Sequence, residues 1–161
     1  MTNVEQPPIL VVEDNDEDFD VLRLLLVSIG VRNPLKRCAT SGDALAAFAR
    51  IGLGRPGGAP MPGGARADRL PSLVLLDLNL PGIDGRELLQ RFRADPGLRG
   101  VPVVVFSTSA NPRDVRFCYE AGANAYMVKP VDLDRPERML RATVEFWLNA
   151  AVVPAEIEDA A

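Results

Sequence analysis

Histidine is absent from the 161 residues. That excludes Ser-His-Asp and Cys-His catalysis, histidine-ligated zinc and any phosphohistidine carried by the chain itself. Whatever chemistry exists falls to carboxylates, hydroxyls and amines. Cysteine is nearly absent: Cys38 and Cys118 lie far apart in no metal-type spacing, and read as buried, reduced thiols of a cytoplasmic protein. Lysine is scarce, since sixteen of the eighteen basic residues are arginine and only Lys36 and Lys129 are not. An ammonium and a guanidinium are not interchangeable at a phosphate, so Lys129 draws notice. Positive charge is in deficit, with a net charge of -4 and a pI of about 4.9. That argues against direct nucleic-acid binding, which phosphate neutralisation drives. Long apolar runs are missing as well. The longest, Val21 to Ile29, is interrupted by Arg23 and Ser28, well short of the ~18 to 20 apolar residues of a membrane span. Met1 to Gln6 has neither a basic nor an apolar region of the signal-peptide kind. No membrane association is expected.

What is present is a strict alternation. Short, continuous apolar runs are each followed by a helical pattern. Ile9–Val12 precedes a helix over Asp16 to Ile29, and a weaker run at Leu35 to Ala39 precedes Ser41 to Ile51. Leu73–Leu76 precedes a helix opened by Asp84, with Glu87 three residues on as in a capping box. Val101 to Phe106 precedes a helix that begins Asn111-Pro112 and ends at Gly122. Ala125 to Val128 precedes a helix to about Asn149. Five β-α units imply an α/β, flavodoxin-like, doubly wound five-stranded parallel sheet with five helices, in strand order 2-1-3-4-5. The expected domain covers residues 8–149. Residues 52–72, with six glycines and four prolines, read as a long loop between helix 2 and strand 3. Its formal G-x-G-x-x-G match, Gly52 to Gly57, follows a helix and precedes more Gly and Pro, the wrong context for a dinucleotide site. Residues 150–161 read as a short, acidic, frayed C-terminal tail.

In such folds ligands bind at the carboxyl ends of the strands. Strand 1 is followed by Glu13 and Asp14, strand 3 by Asp77; strand 4 ends in Ser107, strand 5 in Lys129 and Pro130. Each has a plain explanation alone: a helix cap, a turn opener, a polar strand end, a solvated lysine. Together they bring three carboxylates, a hydroxyl and an ammonium to one edge. Three neighbouring carboxylates repel one another and raise one another's pKa. A hard divalent cation, Mg²⁺, relieves this with oxygen ligands. An aspartate can then act as nucleophile toward phosphorus, with the metal, the lysine, the hydroxyl and backbone N–H groups sharing the phosphoryl oxygens.

These residues resemble the receiver domain of two-component response regulators. The matching pieces are Val11-Val12-Glu13-Asp14, Leu75 through Asp77 to Gly85, Val104 to Ser107, and Gly122 through Tyr126 to Pro130. The separations of 30 residues from Asp77 to Ser107 and 52 to Lys129 suit that family. The resemblance implies Asp77 as phosphoacceptor. It implies Mg²⁺ held by Glu13, Asp14, Asp77 and the Asn79 backbone carbonyl. Ser107 becomes the switch hydroxyl, Lys129 the phosphate-binding lysine, its bond to Pro130 cis, and Tyr126 the aromatic that turns inward on activation. Glu13 and Ser107 replace the commoner Asp and Thr and keep the needed oxygens. A haloacid-dehalogenase phosphatase would need a second acid two residues after its nucleophile, where Asn79 stands.

The implied function is that of a non-enzymatic phosphoacceptor served by a sensor histidine kinase and signalling through the helix 4–strand 5–helix 5 face. Nothing after the receiver segment reads as a DNA-binding or catalytic module. The long loop and the terminal Glu145-Phe146-Trp147-Leu148 and Val153-Pro154 resemble the single-domain regulators paired with bacterial phytochrome kinases. The alternatives are another sensor or phosphorelay, or a non-phosphorylated pseudo-receiver that only binds. Helical spacing puts Val115, Cys118 and Tyr119 on the core side of helix 4. It leaves Phe117 and Phe146 outside as a candidate homodimer contact.

Overall fold

The computed structural model describes residues 5–53, 68–130 and 135–155. Five parallel strands, β1 (Ile9–Val12), β2 (Leu35–Cys38), β3 (Leu73–Leu76), β4 (Val103–Ser107) and β5 (Ala125–Val128), form one sheet in the order β2-β1-β3-β4-β5. The helices are α1 (Asp16–Ile29), α2 (Ser41–Leu53), α3 (Gly85–Ala94), α4 (Pro112–Glu120) and α5 (Arg135–Val144). The expected class and strand order are both observed.

Burial follows position in the sheet. The central β1 and β3 are buried at every residue, as strands covered on both faces must be. The edge strands β2 and β5 are only partly covered, which is why β2 has the weakest apolar signal. Alternate residues serve opposite faces. Leu10, Val12, Val74, Leu76, Val103 and Val105 pack with Phe48 of α2, Leu88 and Phe92 of α3 and Cys118 of α4. Ile9, Val11, Leu73, Leu75 and Val104 pack with Leu22 and Leu26 of α1 and Leu140 and Val144 of α5. The Phe48 and Phe92 rings meet edge to face, centroids 4.6 Å apart. Both cysteines are free and buried, and burial pushes each thiol up to about 11, which leaves them inert.

The helix ends follow local chemistry. Asn15, not Glu13 or Asp14, caps α1 by accepting from the Asp18 N–H. Asp84 caps α3 through the Arg86 N–H. The reciprocal half of the expected capping box is replaced, since Glu87 pairs with Arg91 one turn on, at 2.6 Å. Asn111 caps α4 with Pro112 in its first turn, and Gly122 follows its end at φ 101°.

Three expectations need correction. Strand 4 begins at Val103 rather than Val101, although Val101 is buried below it. The last helix changes pitch after Val144 into a π-helical segment, Glu145–Ala150, in which Trp147 borders both core clusters. The tail is not frayed as far as Ala155. Val153 and Ala155 are 1% and 3% exposed in the core beside α2 and α3, and Pro154 comes within contact of Gly100. Apolar side chains at 153 and 155 outweigh the acidic look of the segment. We therefore expect Val153→Asp to lower the unfolding free energy by about 3 kcal/mol, read by urea denaturation. An unchanged midpoint would contradict the packing.

Of the glycine- and proline-rich stretch, residues 54–67, including most of the G-x-G-x-x-G match, lie outside the described residues. Its end is fastened: Asp68 pairs with Arg50 at 3.0 Å and Lys36 at 3.6 Å, and Leu70 is buried. Among the described residues no helix is long and apolar enough to cross a membrane.

Candidate functional site

The carboxyl ends of β1, β3, β4 and β5 meet at one edge. Glu13 continues β1 for one residue, its N–H donating to the Cys38 carbonyl at 3.1 Å, so its side chain is held in the interior at 5% exposure. One of its oxygens accepts from the Asn15 N–H at 3.1 Å. Asp14 follows, exposed. Arg37 of β2 pins the backbone that carries both acids, donating to the carbonyls of Glu13 at 3.1 Å and Asp14 at 3.2 Å while pairing with Asp16. At the end of β3, the Asp77 N–H donates to the Val12 carbonyl. The Asp77 carboxylate accepts from the Asn79 N–H at 3.2 Å and is 6% exposed. Glu13, Asp14 and Asp77 each bring a carboxylate oxygen within 4.8 Å of the others. Such a hard-oxygen cluster of mixed burial fits a divalent cation of the Mg²⁺ or Mn²⁺ kind.

The counter-charge comes from Lys129. Its N–H donates to the Ser107 carbonyl at 2.7 Å, which fixes the end of β5 against β4. Its ammonium donates to Glu13 at 2.5 Å, Asp18 at 3.0 Å and Asp77 at 3.2 Å. Burial alone would lower its pKa. The Glu13 hydrogen bond and the charges of Asp77 and Glu13 outweigh burial and raise it above the ordinary lysine range. Burial dominates at Glu13 and raises its pKa. Lys129 opposes that shift and the Asp77 charge adds to it. The site thus holds an acid pair under strain and one cation shared among three carboxylates.

Asp77 is also crowded from below. A Cβ on Gly85 would lie 2.4 Å from the Asp77 carbonyl oxygen and 2.6 Å from Leu78 Cα, so only glycine lets α3 start this close to the end of β3. Ser107 is fully buried, and its hydroxyl oxygen accepts from the Ser109 N–H at 3.2 Å. The Tyr126 hydroxyl donates to the Ser109 carbonyl at 2.8 Å. Asn79 is exposed, and its amide donates to the Thr108 hydroxyl at 3.3 Å.

The strand-end reading put Glu13, Asp14, Asp77, Ser107 and Lys129 at one edge, and they lie there; Asn79 and Tyr126, implied by the resemblance, reach that edge through the Asp77 carboxylate and the Ser109 carbonyl. Two expectations fail. No cis peptide bond occurs among the described residues, so Lys129–Pro130 is trans. That is the form an X–Pro bond favours by about 0.5–1 kcal/mol unless its surroundings override it, and the trans chain already delivers the ammonium to Glu13 and Asp77. The aromatic pair also fails. Phe117 packs half-buried against the core under α4, while Tyr119 is the exposed ring, at 50%. Phe146 is exposed as expected, its ring edge-on to Trp147. Phe117 and Phe146 do not make a shared exposed contact. Asp18 and Arg37 were missed. Asp18 reads in sequence as an ordinary acid in the first turn of a helix, and Arg37 as a polar residue of an edge strand.

Comparison with known proteins agrees with this geometry. Residues 63–141 match the model of the response regulator receiver domain. The chain is 34% identical over 157 residues to the response regulator Rcp1 of Synechocystis, covering 96% of this chain and 99% of that one. Among solved structures it is similar to the phosphorylated cyanobacterial phytochrome response regulator RcpA, with a TM-score of 0.74 at 32% identity, and to the Mn²⁺-bound form of Rcp1, with a TM-score of 0.74 at 33%. Each comparison covers 92% of this chain and 99% of the other. With this identity to Rcp1 over nearly the whole of both chains, the chain belongs to the receiver family of two-component response regulators.

Proposed function

We propose that this chain accepts a phosphoryl group on Asp77 from a sensor histidine kinase, with Mg²⁺ held by Glu13, Asp14, Asp77 and the Asn79 backbone carbonyl. The observation that carries this reading is that the Asp77 carboxylate lies within 4.8 Å of the other two acids and 3.2 Å from the Lys129 ammonium. Mg²⁺, when bound, would supply charge neutralisation for the acids and for the incoming phosphoryl oxygens. The rest is done by the chain's own residues. A carboxylate oxygen of Asp77 attacks phosphorus, an acyl phosphate forms, and the P–N bond to the kinase histidine breaks, its electron pair returning to the imidazole. Lys129 exchanges carboxylate oxygens for phosphoryl oxygens. Ser107 lies one strand away and turns its hydroxyl toward the group. Tyr126 moves into the space that Ser107 vacates, and the α4–β5–α5 face changes shape for protein partners.

The cyanobacterial phytochrome response regulator RcpA, to which the chain is similar over nearly its full length, supports a bacterial phytochrome as the kinase. The test is phosphotransfer. A phytochrome histidine kinase, loaded with phosphate, is expected to pass it to this chain faster than an unrelated sensor kinase does. Equal or slower transfer would remove the phytochrome assignment. Failure to accept phosphate from any donor would remove the receiver function and leave a binding module.

A further inference from the structure

Ser109 sits in the segment between β4 and α4, and three of its groups are engaged at once. Its N–H donates to the Ser107 hydroxyl oxygen at 3.2 Å. Its carbonyl accepts from the Tyr126 hydroxyl at 2.8 Å. Its own hydroxyl donates to the Asp114 carboxylate at 2.6 Å and accepts from the Asn111 N–H at 3.3 Å. The other oxygen of Asp114 is taken by Arg86 of α3, through Nε at 3.1 Å and Nη2 at 2.6 Å. Arg86 is in turn clamped by both oxygens of Asp84, the cap of α3. The Ser109 and Arg86 bonds hold the Asp114 carboxyl below its ordinary pKa, so the latch is charged at neutral pH and its bonds are charge-assisted.

This geometry couples two groups that the proposed function requires to move. For the Ser107 hydroxyl to swing toward Asp77, the Ser109 N–H must release it or follow it. Ser109 can follow only if its hydroxyl leaves Asp114. If the Ser109 backbone moves, Tyr126 loses the carbonyl that anchors its hydroxyl. One carboxylate on α4, seated on one guanidinium from α3, therefore restrains both Ser107 and Tyr126.

We propose that Asp114, held by Arg86 and acting through Ser109, is a positioning residue that latches residues 107–111 and Tyr126 in the resting arrangement and so sets how readily the chain adopts its phosphorylated form. The inference rests on the receiver function proposed above. Asp114 touches neither the metal ligands nor the phosphoryl group. Its effect is on the population of the competent state, which scales the apparent affinity of any ligand selective for that state.

The probe is beryllofluoride with Mg²⁺, a phosphoryl mimic, titrated into wild type, Asp114→Ala, Ser109→Ala and the double variant, with thermal melts alongside. Releasing the latch is expected to tighten apparent affinity about fivefold in either single variant. The double variant should gain no more than one of them, because both changes break the same bond. A residue needed only for the fold would lower the melting temperature with affinity unchanged or weaker, and that result overturns the latch. Additive gains in the double variant would also overturn it, since they would mean separate actions. If Asp114→Ala does not fold, Ser109→Ala, which leaves the Arg86–Asp114 pair in place, decides the question by the same criterion. If wild type itself binds no beryllofluoride, the receiver function fails, and the latch with it.

Discussion

Asparagine at position 77 is expected to abolish phosphoryl acceptance while leaving the fold intact. An amide is close to a carboxylate in shape, and it can still accept from the Asn79 N–H that Asp77 engages at 3.2 Å. What it loses is the anionic oxygen proposed to attack phosphorus and one carboxylate of the acidic cluster. Of the other acids at the site, Glu13 is buried and committed to Lys129 and the Asn15 N–H, Asp18 is engaged by Lys129, and Asp14 is exposed. The fold should not suffer, because the Asp77 charge is one of the causes that raise the Glu13 pKa. Removing a like charge from a buried neighbour offsets the loss of the Lys129 contact. Intact mass after treatment with acetyl phosphate and Mg²⁺ should show no adduct on Asp77→Asn, and its melting temperature without metal should be no lower than that of wild type. An adduct on the variant would move the acceptor elsewhere.

Methionine at position 129 is expected to damage both stability and reactivity, with the stability loss depending on metal. In wild type the ammonium lies 2.5 Å from Glu13 and 3.2 Å from Asp77, among side chains that are mostly buried. Removing one partner of a buried ion pair leaves an uncompensated charge and costs about 3 kcal/mol or more. Mg²⁺, proposed to bind the same carboxylates, should restore most of that loss. In urea unfolding the gap between Lys129→Met and wild type should be wide in chelator and narrow in excess Mg²⁺. The rate of phosphorylation by acetyl phosphate should fall by on the order of 10²-fold even with Mg²⁺, since the metal cannot stand in for the lysine at the transferring group. The pH dependence follows from the raised pKa. The stabilisation from Lys129 is complete below its ordinary value of 10.5 and fades only as pH rises beyond that toward its folded value. An equal stability gap with and without Mg²⁺, or an unchanged rate, would contradict this account.

The sheet and its reactive edge were legible because they rest on short-range signals. Runs such as Leu73–Leu76, short, apolar and each followed by a helical pattern, read as strands buried on both faces, and the polar residue that ends each run falls at the ligand-binding edge of a parallel sheet. What was not legible depended on contacts across the fold. Asp18 became a partner of Lys129 only because the fold brings the first turn of α1 within reach of the ammonium that follows β5. Ser109 and Asp114 carry no distinct signal in the sequence, because their contact with Arg86 of α3 exists only in the fold. Spacing alone misjudged α4. On a nine-residue helix the buried stripe is narrow, and here it takes in Phe117 and leaves Tyr119 out. The terminal segment misled for a different reason. Its acids suggested a solvated tail, while Val153 and Ala155 fill space left beside Leu98 and Val101.

The central claim is that Asp77, in its setting of Glu13, Asp14 and Lys129, is a metal-dependent phosphoacceptor. Its most direct test is the intact mass of the wild-type chain after incubation with acetyl phosphate, with Mg²⁺ and then with a chelator in its place. The account predicts the gain of one phosphoryl group with Mg²⁺, mapped by peptide analysis to Asp77, and none with the chelator. No gain under either condition, or a gain that ignores the metal, would contradict it.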